Sequence, residues 1–234
     1  MPFSWNFPYP SQRMPVFAPN VVTTSQPLAA QAGLRMLLKG GNAVDAAVAT
    51  AITLTVVEPT SNGIGGDAFA LVWDGSRLHG INGSGRSPAA WNLERFKDLK
   101  AMPELGWDTV TVPGAVDTWA KLSERFGKLP FEDLFGPAID YAQHGFGVSP
   151  ITAARWKEAI PLYEEYPDFA VTFLDGGRAP RAGELFRCPA QARTLEAIAA
   201  SKGEAFYRGS IAEKIVQHSL STGGSLCAED LEQH

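Results

Sequence analysis

Cysteine is scarce in this sequence, and its placement excludes two kinds of site. The 234 residues include only two cysteines, Cys188 and Cys227, which lie far apart and outside any CxxC pattern. This spacing fits neither a disulfide framework nor a zinc site, so we expect two ordinary thiols. The four histidines show no HxxxH or HxxE spacing. No pattern therefore indicates a metal ion or a cofactor.

Runs of positive charge are also lacking. The chain carries 20 Lys and Arg against 25 Asp and Glu, which gives a formal net charge of −5, and its isoelectric point is about 5.4. Because the basic residues are scattered, the electrostatic footprint of a nucleic-acid-binding protein is absent. We expect no nucleic-acid partner.

No hydrophobic run is long enough to cross a bilayer. The most apolar stretch, Ala46 to Val57, is interrupted by threonines and is shorter than a membrane span. The first 19 residues are rich in proline and aromatics and lack the basic and apolar regions of a secretory signal. The sequence therefore predicts no membrane partner and a cytoplasmic location.

The composition is that of a globular protein with a full core. Hydrophobic residues make up 45% of the chain and charged residues 19%, which excludes a disordered segment. The length suits one large domain or two modest ones, and we favour one. We expect an irregular arm at residues 1–20, followed by one α/β domain, layered in the α+β manner, at residues 21–234.

Turn and cap signals predict the elements of the first third. Val21 to Thr24 is typical of a short strand, and Ser25 with Pro27 predicts the start of a helix that runs to about Leu38. Gly40-Gly41 would end that helix, and Asn42 would cap a second helix reaching Val57. The second helix is apolar nearly all round, so we expect it to be buried between layers.

A glycine-rich loop and a hairpin follow. After the loop Thr60 to Asp67, the run Ala68 to Trp73 predicts a buried strand. Asp74-Gly75 predicts a hairpin turn and a return strand over Arg77 to Asn82, after which Gly83 to Pro88 forms a second bend.

Helical periodicity dominates the rest of the chain. The predicted helices cover Ala115 to Arg125, Phe131 to His144, Ala190 to Ser201 and Ser210 to Leu220. The stretch from Tyr163 to Pro189 lacks periodicity, so we expect a long surface excursion.

Familiar catalytic and nucleotide motifs do not fit. The glycine loop before Ala68 matches neither GxxxxGK[ST] nor GxGxxG, and it precedes a strand rather than a helix. A serine hydrolase would need a GxSxG elbow, of which Gly83-Ser84-Gly85 reproduces only a fragment.

An ordered series of short motifs is more specific. They are Gly40 to Ala49, Asn62 to Phe69, Gly83 to Pro88, Val112 to Val116, Ala142 to Phe146, Phe206 to Ala212, Gly223 to Leu226 and Glu229 to Leu231. Together they resemble the N-terminal part of the γ-glutamyltransferase family over about residues 20–232. The missing signal peptide and the form of the Gly83 to Pro88 bend are more similar to its cytoplasmic, oxamate amidohydrolase-like branch.

The resemblance implies an N-terminal-nucleophile hydrolase, of which this chain is the N-terminal part only. Such enzymes have an αββα sandwich, and the precursor cleaves itself before a threonine. The free α-amino group of that threonine then acts as base for its own hydroxyl. The nucleophile would lie beyond this chain, since Thr23-Thr24 lacks the following histidine, and Thr109 and Thr111 are typical of strand residues. We expect this chain alone to be inactive.

The resemblance also implies a substrate-binding position in the bend. The family places an arginine that binds the substrate carboxylate shortly before an Ala-Pro pair. Here Ser84 occupies that position, and the only arginine within the bend Gly83 to Pro88 is Arg86. We therefore name Arg86 and Ser84 as candidate substrate-binding residues. Arg86 suits bidentate recognition of a carboxylate, and a solvated loop arginine is the equally weighted alternative. We expect structural roles for Asp45 and Asp67.

These observations lead to one principal hypothesis. It is an amide hydrolase or acyltransferase that acts on γ-glutamyl or other small amide substrates and is completed by a C-terminal small subunit carrying the nucleophile. The resemblance allows a homo-oligomer of such heterodimers. The alternative is a non-catalytic binding or interaction module derived from the same fold.

Overall fold

The computed structural model describes residues 16–234, so most of the predicted arm, residues 1–15, lies outside the described part. The helices are α1 (Pro27–Leu38), α2 (Ala43–Val57), α3 (Leu93–Phe96), α4 (Ala115–Phe126), α5 (Gly136–His144), α6 (Pro150–Ala159), α7 (Pro167–Phe173), α8 (Pro189–Ala200), α9 (Glu204–Arg208), α10 (Ser210–Ser221) and α11 (Ala228–Glu232). The strands are β1 (Ala68–Trp73), β2 (Leu78–Gly83), β3 (Phe146–Gly147) and β4 (Leu185–Phe186). Within residues 16–234, no helix combines the length and the apolar composition that crossing a membrane requires.

The first two helices begin and end as their local signals predict. Gly40 has φ +89°, a left-handed conformation that closes the end of α1. Asn42 accepts hydrogen bonds from the amides of Val44 and Asp45, while its own amide donates to the Asp45 carboxylate at 2.8 Å. This reciprocal capping box satisfies amides that would otherwise lack partners at the start of α2.

The predicted cap of α1 is wrong by one residue. The side chain of Gln26, rather than that of Ser25, accepts the hydrogen bond from the Leu28 amide. The Ser25 hydroxyl instead donates to the Glu58 carboxylate at 2.5 Å, which ties the start of α1 to the end of α2. A tertiary contact has therefore overridden a local preference.

The core forms where α2 meets the helices that follow it. Its members are buried apolar side chains, among them Val48, Ile52, Val56, Trp119, Leu134, Phe135, Ala138, Leu195 and Ile198. Helices α1 and α2 approach so closely that a Cβ on Gly33 would lie 2.3 Å from the Thr50 hydroxyl oxygen. Glycine at this position therefore permits the helix contact.

The β1–β2 hairpin is confirmed, but its predicted burial is wrong. The two strands pair antiparallel with Leu71 opposite Gly80, and the Asp74 carboxylate accepts the amide hydrogens of the turn residues Ser76 and Arg77. Side chains alternate, so that Phe69, Leu71 and Trp73 are 65%, 76% and 63% exposed. One face of β1 packs towards the core and the opposite face is uncovered.

Two further strand predictions are wrong. Val21 to Thr24 forms no strand, because it makes no backbone ladder with any other described segment. Thr109 ends a short 3₁₀ turn, and Thr111 lies in irregular backbone. Favourable β-propensity yields a strand only where a partner edge is present.

The predicted helix from Phe131 to His144 is divided. Phe131–Phe135 forms a 3₁₀ helix, and α5 begins at Gly136 with Pro137 in its first turn. Proline lacks the amide hydrogen that a continuous α-helix would need, so the helix restarts there. The predicted excursion contains α7 and also β4, which pairs with β3.

Candidate substrate-binding bend

The bend Gly83 to Pro88 leaves β2 and runs beside the segment that leads into α4. The amide of Val112 donates to the Arg86 carbonyl at 2.9 Å. The Thr111 hydroxyl donates to the Ser84 carbonyl at 3.3 Å. The backbone that carries both candidate residues is thus hydrogen-bonded to the neighbouring segment.

Glycines allow these two backbones to touch. Gly85 has φ +72°, and a Cβ there would lie 1.7 Å from the Val112 carbonyl oxygen. A Cβ on Gly114 would lie 2.1 Å from the Gly83 carbonyl oxygen. Any larger residue at either position would push the segments apart.

The loop before β1 reaches the same place. The Gly66 carbonyl accepts hydrogen bonds from the amides of Gly114 and Ala115, at 3.0 and 3.1 Å. It therefore satisfies free donors at the start of α4, which has no side-chain cap. Three glycine motifs from separate parts of the sequence converge here. Sequence reasoning found each motif and missed their convergence.

The C-terminal motifs support the bend from its other side. The Asp230 carboxylate accepts the amide hydrogen of Ala89 at 2.8 Å and that of Cys227 at 3.0 Å. The indole of Trp91 donates to the Ser225 hydroxyl at 3.2 Å. The chain after Pro88 is therefore tied to α11 and to the residues just before it.

The electrostatics near Arg86 reflect this packing. Burial acts to raise the pKa of Asp230, but the amide hydrogen bonds from Ala89 and Cys227, together with the charge of Arg86, hold that pKa below its ordinary value. Burial is the main cause that lowers the pKa of His234, and the charge of Arg86 contributes to that lowering. Arg86 therefore lies near enough to both groups to influence their ionisation.

The two candidate residues are both exposed on this bend. Among the described residues, the Arg86 side chain makes no hydrogen bond or salt bridge. The Ser84 hydroxyl has only a 3.5 Å contact with the Gly85 carbonyl, which is beyond the usual range for a hydroxyl donor. A guanidinium and a hydroxyl, two residues apart on a fixed backbone, are thus free to bind a ligand.

The expected structural role of Asp45 is confirmed. Besides capping α2, its buried carboxylate accepts the amide hydrogens of Lys128 and Leu129 at 3.1 to 3.3 Å. Asp67 is exposed, and its role stays a prediction. Residues 16–234 contain no group of three or more side chains arranged to hold a metal ion. Cys188 and Cys227 are free thiols.

The converging motifs match a known family. The model of the gamma-glutamyltranspeptidase family covers residues 29–234. The chain belongs to this family. It is 39% identical over 217 residues to the glutathione hydrolase-like YwrD proenzyme of Bacillus subtilis. This alignment covers 92% of this chain and 41% of the YwrD protein. It is 35% identical over 218 residues to the oxamate amidohydrolase proenzyme of Klebsiella pneumoniae, covering 88% and 40% of the two chains.

A solved structure agrees with this assignment. The cephalosporin acylase of Bacillus halodurans superposes with a TM-score of 0.87 at 47% sequence identity, over 99% of this chain and 45% of the acylase chain. The chain has the fold of the N-terminal part of an N-terminal-nucleophile hydrolase, as the motifs predict. It spans less than half the length of these relatives.

Proposed function

We propose that this chain is the N-terminal portion of an amide hydrolase or acyltransferase of the gamma-glutamyltranspeptidase family. The catalytic threonine would come from a C-terminal part that follows the matched segment. Two observations support this: the chain covers 41% of its YwrD relative, and that relative and the oxamate amidohydrolase are both named proenzymes. We expect the C-terminal part to act as a small subunit after cleavage.

The chemistry would divide between the two parts. In the C-terminal part, the threonine hydroxyl attacks the amide carbonyl, its proton passes to the α-amino base, and the amine leaves with a proton. The acyl group is then released to water in hydrolysis or to an amine in transfer. The N-terminal part would hold the substrate so that the carbonyl meets the hydroxyl.

Arg86 carries the substrate proposal. Its guanidinium makes no hydrogen bond or salt bridge within residues 16–234, and its backbone is fixed by the Val112 hydrogen bond. A fork of donors on a rigid bend suits a carboxylate, and the neighbouring Ser84 hydroxyl can add one hydrogen bond. The preferred substrate would be a small amide that also carries a carboxylate, a class that includes both γ-glutamyl amides and oxamate.

Substitutions in the complete, processed protein test this role. Arg86→Ala should raise KM for a carboxylate-bearing amide by about 10- to 100-fold, as expected for a lost charge-assisted hydrogen bond. Arg86→Lys should recover part of that loss, and Ser84→Ala should have a smaller effect. The matched control is Arg193→Ala, which removes an exposed arginine from α8.

These experiments also distinguish a wrong substrate-binding role for the bend from the absence of any amide-hydrolysing activity. If Arg86→Ala leaves KM unchanged for every carboxylate-bearing amide tested, the bend does not bind the substrate carboxylate. If the unmodified, complete protein hydrolyses no amide, the alternative of a non-catalytic module is favoured.

A further inference from the structure

We infer that Tyr207 is a positioning residue for the candidate substrate-binding bend. Its hydroxyl holds the segment Val112 to Gly114, and that segment holds the backbone of Arg86 and Ser84. Tyr207 belongs to the motif Phe206 to Ala212, one of the ordered series in the sequence. The inference rests on the proposed function only in the ligand that the bend binds.

The Tyr207 hydroxyl makes two hydrogen bonds at the start of α4. It donates to the Pro113 carbonyl at 2.7 Å and accepts the amide hydrogen of Asp117 at 3.0 Å. The Asp117 amide lies in the first turn of the helix, where amides have no partner within the helix, and Gly114, which precedes the helix, has no side chain to cap it. A side chain from 90 positions later in the sequence therefore takes the place of a local cap.

These hydrogen bonds fix the backbone that lies against the bend. The carbonyl of Pro113 is one residue beyond the Val112 amide, which donates to the Arg86 carbonyl at 2.9 Å. The Thr111 hydroxyl donates to the Ser84 carbonyl at 3.3 Å. Because peptide units are planar and rigid, a displacement of Pro113 would move these neighbouring donors and the bend with them.

Tyr207 is itself firmly held in α9. It is 5% exposed, and its ring packs edge to face against that of Phe206 with the centroids 5.1 Å apart. The guanidinium of the next residue, Arg208, donates to the Glu232 carbonyl at 2.7 Å and so ties α9 to α11. Helix α11 carries Asp230, which holds the chain just after the bend. Tyr207 and Asp230 thus support the bend from two sides on helices that are joined to each other.

The Tyr207 hydroxyl keeps the proton that it donates. Burial is the main cause that raises the pKa of Tyr207 above its ordinary value of 10.0. A protonated hydroxyl can donate to the Pro113 carbonyl and accept from the Asp117 amide at the same time. Phenylalanine at this position would keep the ring packing and lose both hydrogen bonds.

Kinetics of the complete, processed protein test this role, with oxamate as the carboxylate-bearing amide. Tyr207→Phe should raise KM for oxamate by about 5- to 10-fold, as expected when lost hydrogen bonds release the backbone that carries Arg86. The matched control is Tyr141→Phe, which removes a half-buried hydroxyl from α5 and should leave KM unchanged. The inference is overturned if Tyr207→Phe also leaves KM unchanged.

A double-mutant cycle separates positioning from general stabilisation. In the Arg86→Ala background, Tyr207→Phe should change KM by less than about 2-fold, because the group that Tyr207 positions is gone. A hydroxyl that only stabilised the fold would have the same effect whether or not Arg86 is present. Equal fold-changes in the two backgrounds would therefore overturn the inference.

A conservative replacement of Tyr207 supplies a second variant. 4-Aminophenylalanine keeps a donor to the Pro113 carbonyl, but its nitrogen is a poor acceptor for the Asp117 amide. KM for oxamate should therefore lie between the values for the unmodified protein and for Tyr207→Phe. If Tyr207→Phe does not fold, this variant replaces it in the cycle. A rise in KM that requires Arg86 then supports the inference, and an unchanged KM, or a rise that persists without Arg86, overturns it.

These results distinguish the positioning role from the proposed function. If Arg86→Ala raises KM and Tyr207→Phe does not, the bend binds the substrate and only the positioning role fails. If Arg86→Ala leaves KM unchanged, both fail.

An inactive protein also gives a decision. If the unmodified protein hydrolyses no amide, the proposed activity fails. Wherever oxamate is not hydrolysed, its Kd, measured by calorimetry, replaces KM in the same cycle. A Kd that rises in Tyr207→Phe only when Arg86 is present would retain the positioning role, and an absence of oxamate binding would overturn it.

Discussion

The Asp230 carboxylate accepts a hydrogen bond from the amide of Ala89, a residue 141 positions earlier in the chain, at 2.8 Å. The same carboxylate accepts from the Cys227 amide at the start of α11. One buried side chain thus fixes both the end of the candidate bend and the helix that supports it.

Removal of this carboxylate should destabilise the protein. Asp230→Ala leaves the amides of Ala89 and Cys227 without their partner, and we expect the free energy of unfolding to fall by about 1–3 kcal/mol. Urea denaturation of the complete protein measures the change. Glu232→Ala, an exposed carboxylate in the same helix, should change it by less than about 0.5 kcal/mol. Equal effects of the two substitutions would contradict this role of Asp230.

The contribution of Asp230 should depend on pH in one direction. Its pKa is lowered from the ordinary 3.8, so the folded state favours the ionised form. The stabilisation is therefore complete above pH 3.8 and is lost as pH falls through the lower, folded-state pKa. The difference in unfolding free energy between the unmodified protein and Asp230→Asn should be constant from pH 7 to 5 and should shrink below pH 3.8. If this difference in unfolding free energy instead grew as the pH falls, the lowered pKa of Asp230 would be contradicted.

The contact between glycine backbones should not tolerate a methyl group. Gly114→Ala would place a Cβ 2.1 Å from the Gly83 carbonyl oxygen, so we expect a loss of about 1–3 kcal/mol from overpacking and weaker substrate binding at the displaced bend. Gly63→Ala is the control, because no atom of residues 16–234 other than those of Gly63 and its two chain neighbours lies within 4 Å of its added Cβ. Thermal unfolding and KM together check the expectation, which fails if Gly114→Ala behaves like the control.

The uncovered face of β1 should make the 234-residue chain self-associate when it is expressed alone. Leu71→Lys places a charge on that face and should raise the concentration needed for association by about 10-fold. Leu93→Lys changes a single leucine that is 91% exposed on α3 and should have little effect. Light scattering coupled to size-exclusion chromatography measures this. A monodisperse unmodified monomer would favour the independent binding module.

Local signals predicted the elements that are stabilised locally. Asn42 and Asp45 form the predicted start of α2 because their capping partners lie within three residues. The Asp74-Gly75 turn likewise sets the hairpin, whose return strand begins at Leu78, one residue later than predicted. In both cases the capping or turn partners that set the element lie within a few residues of each other in the sequence.

Non-local partners explain what sequence reasoning missed. The convergence on the bend depends on contacts such as that of Gly66 with Gly114, which no periodicity reveals. The predicted burial of β1 failed because an apolar run specifies that a strand should be covered but not which element covers it. Arg86 and Ser84 came from the family motif, and their substrate roles stay predictions.

The hydrogen bond from Ala89 to Asp230 has a consequence for the order of synthesis. Arg86 and Ser84 are synthesised early. The Asp230 carboxylate, which fixes the chain after the bend, is synthesised only with α11. Because domains fold as units while the chain is synthesised, the bend acquires its final support almost 150 residues after its own residues are joined. The ribosome must therefore produce nearly all of this portion before the proposed substrate site can be complete.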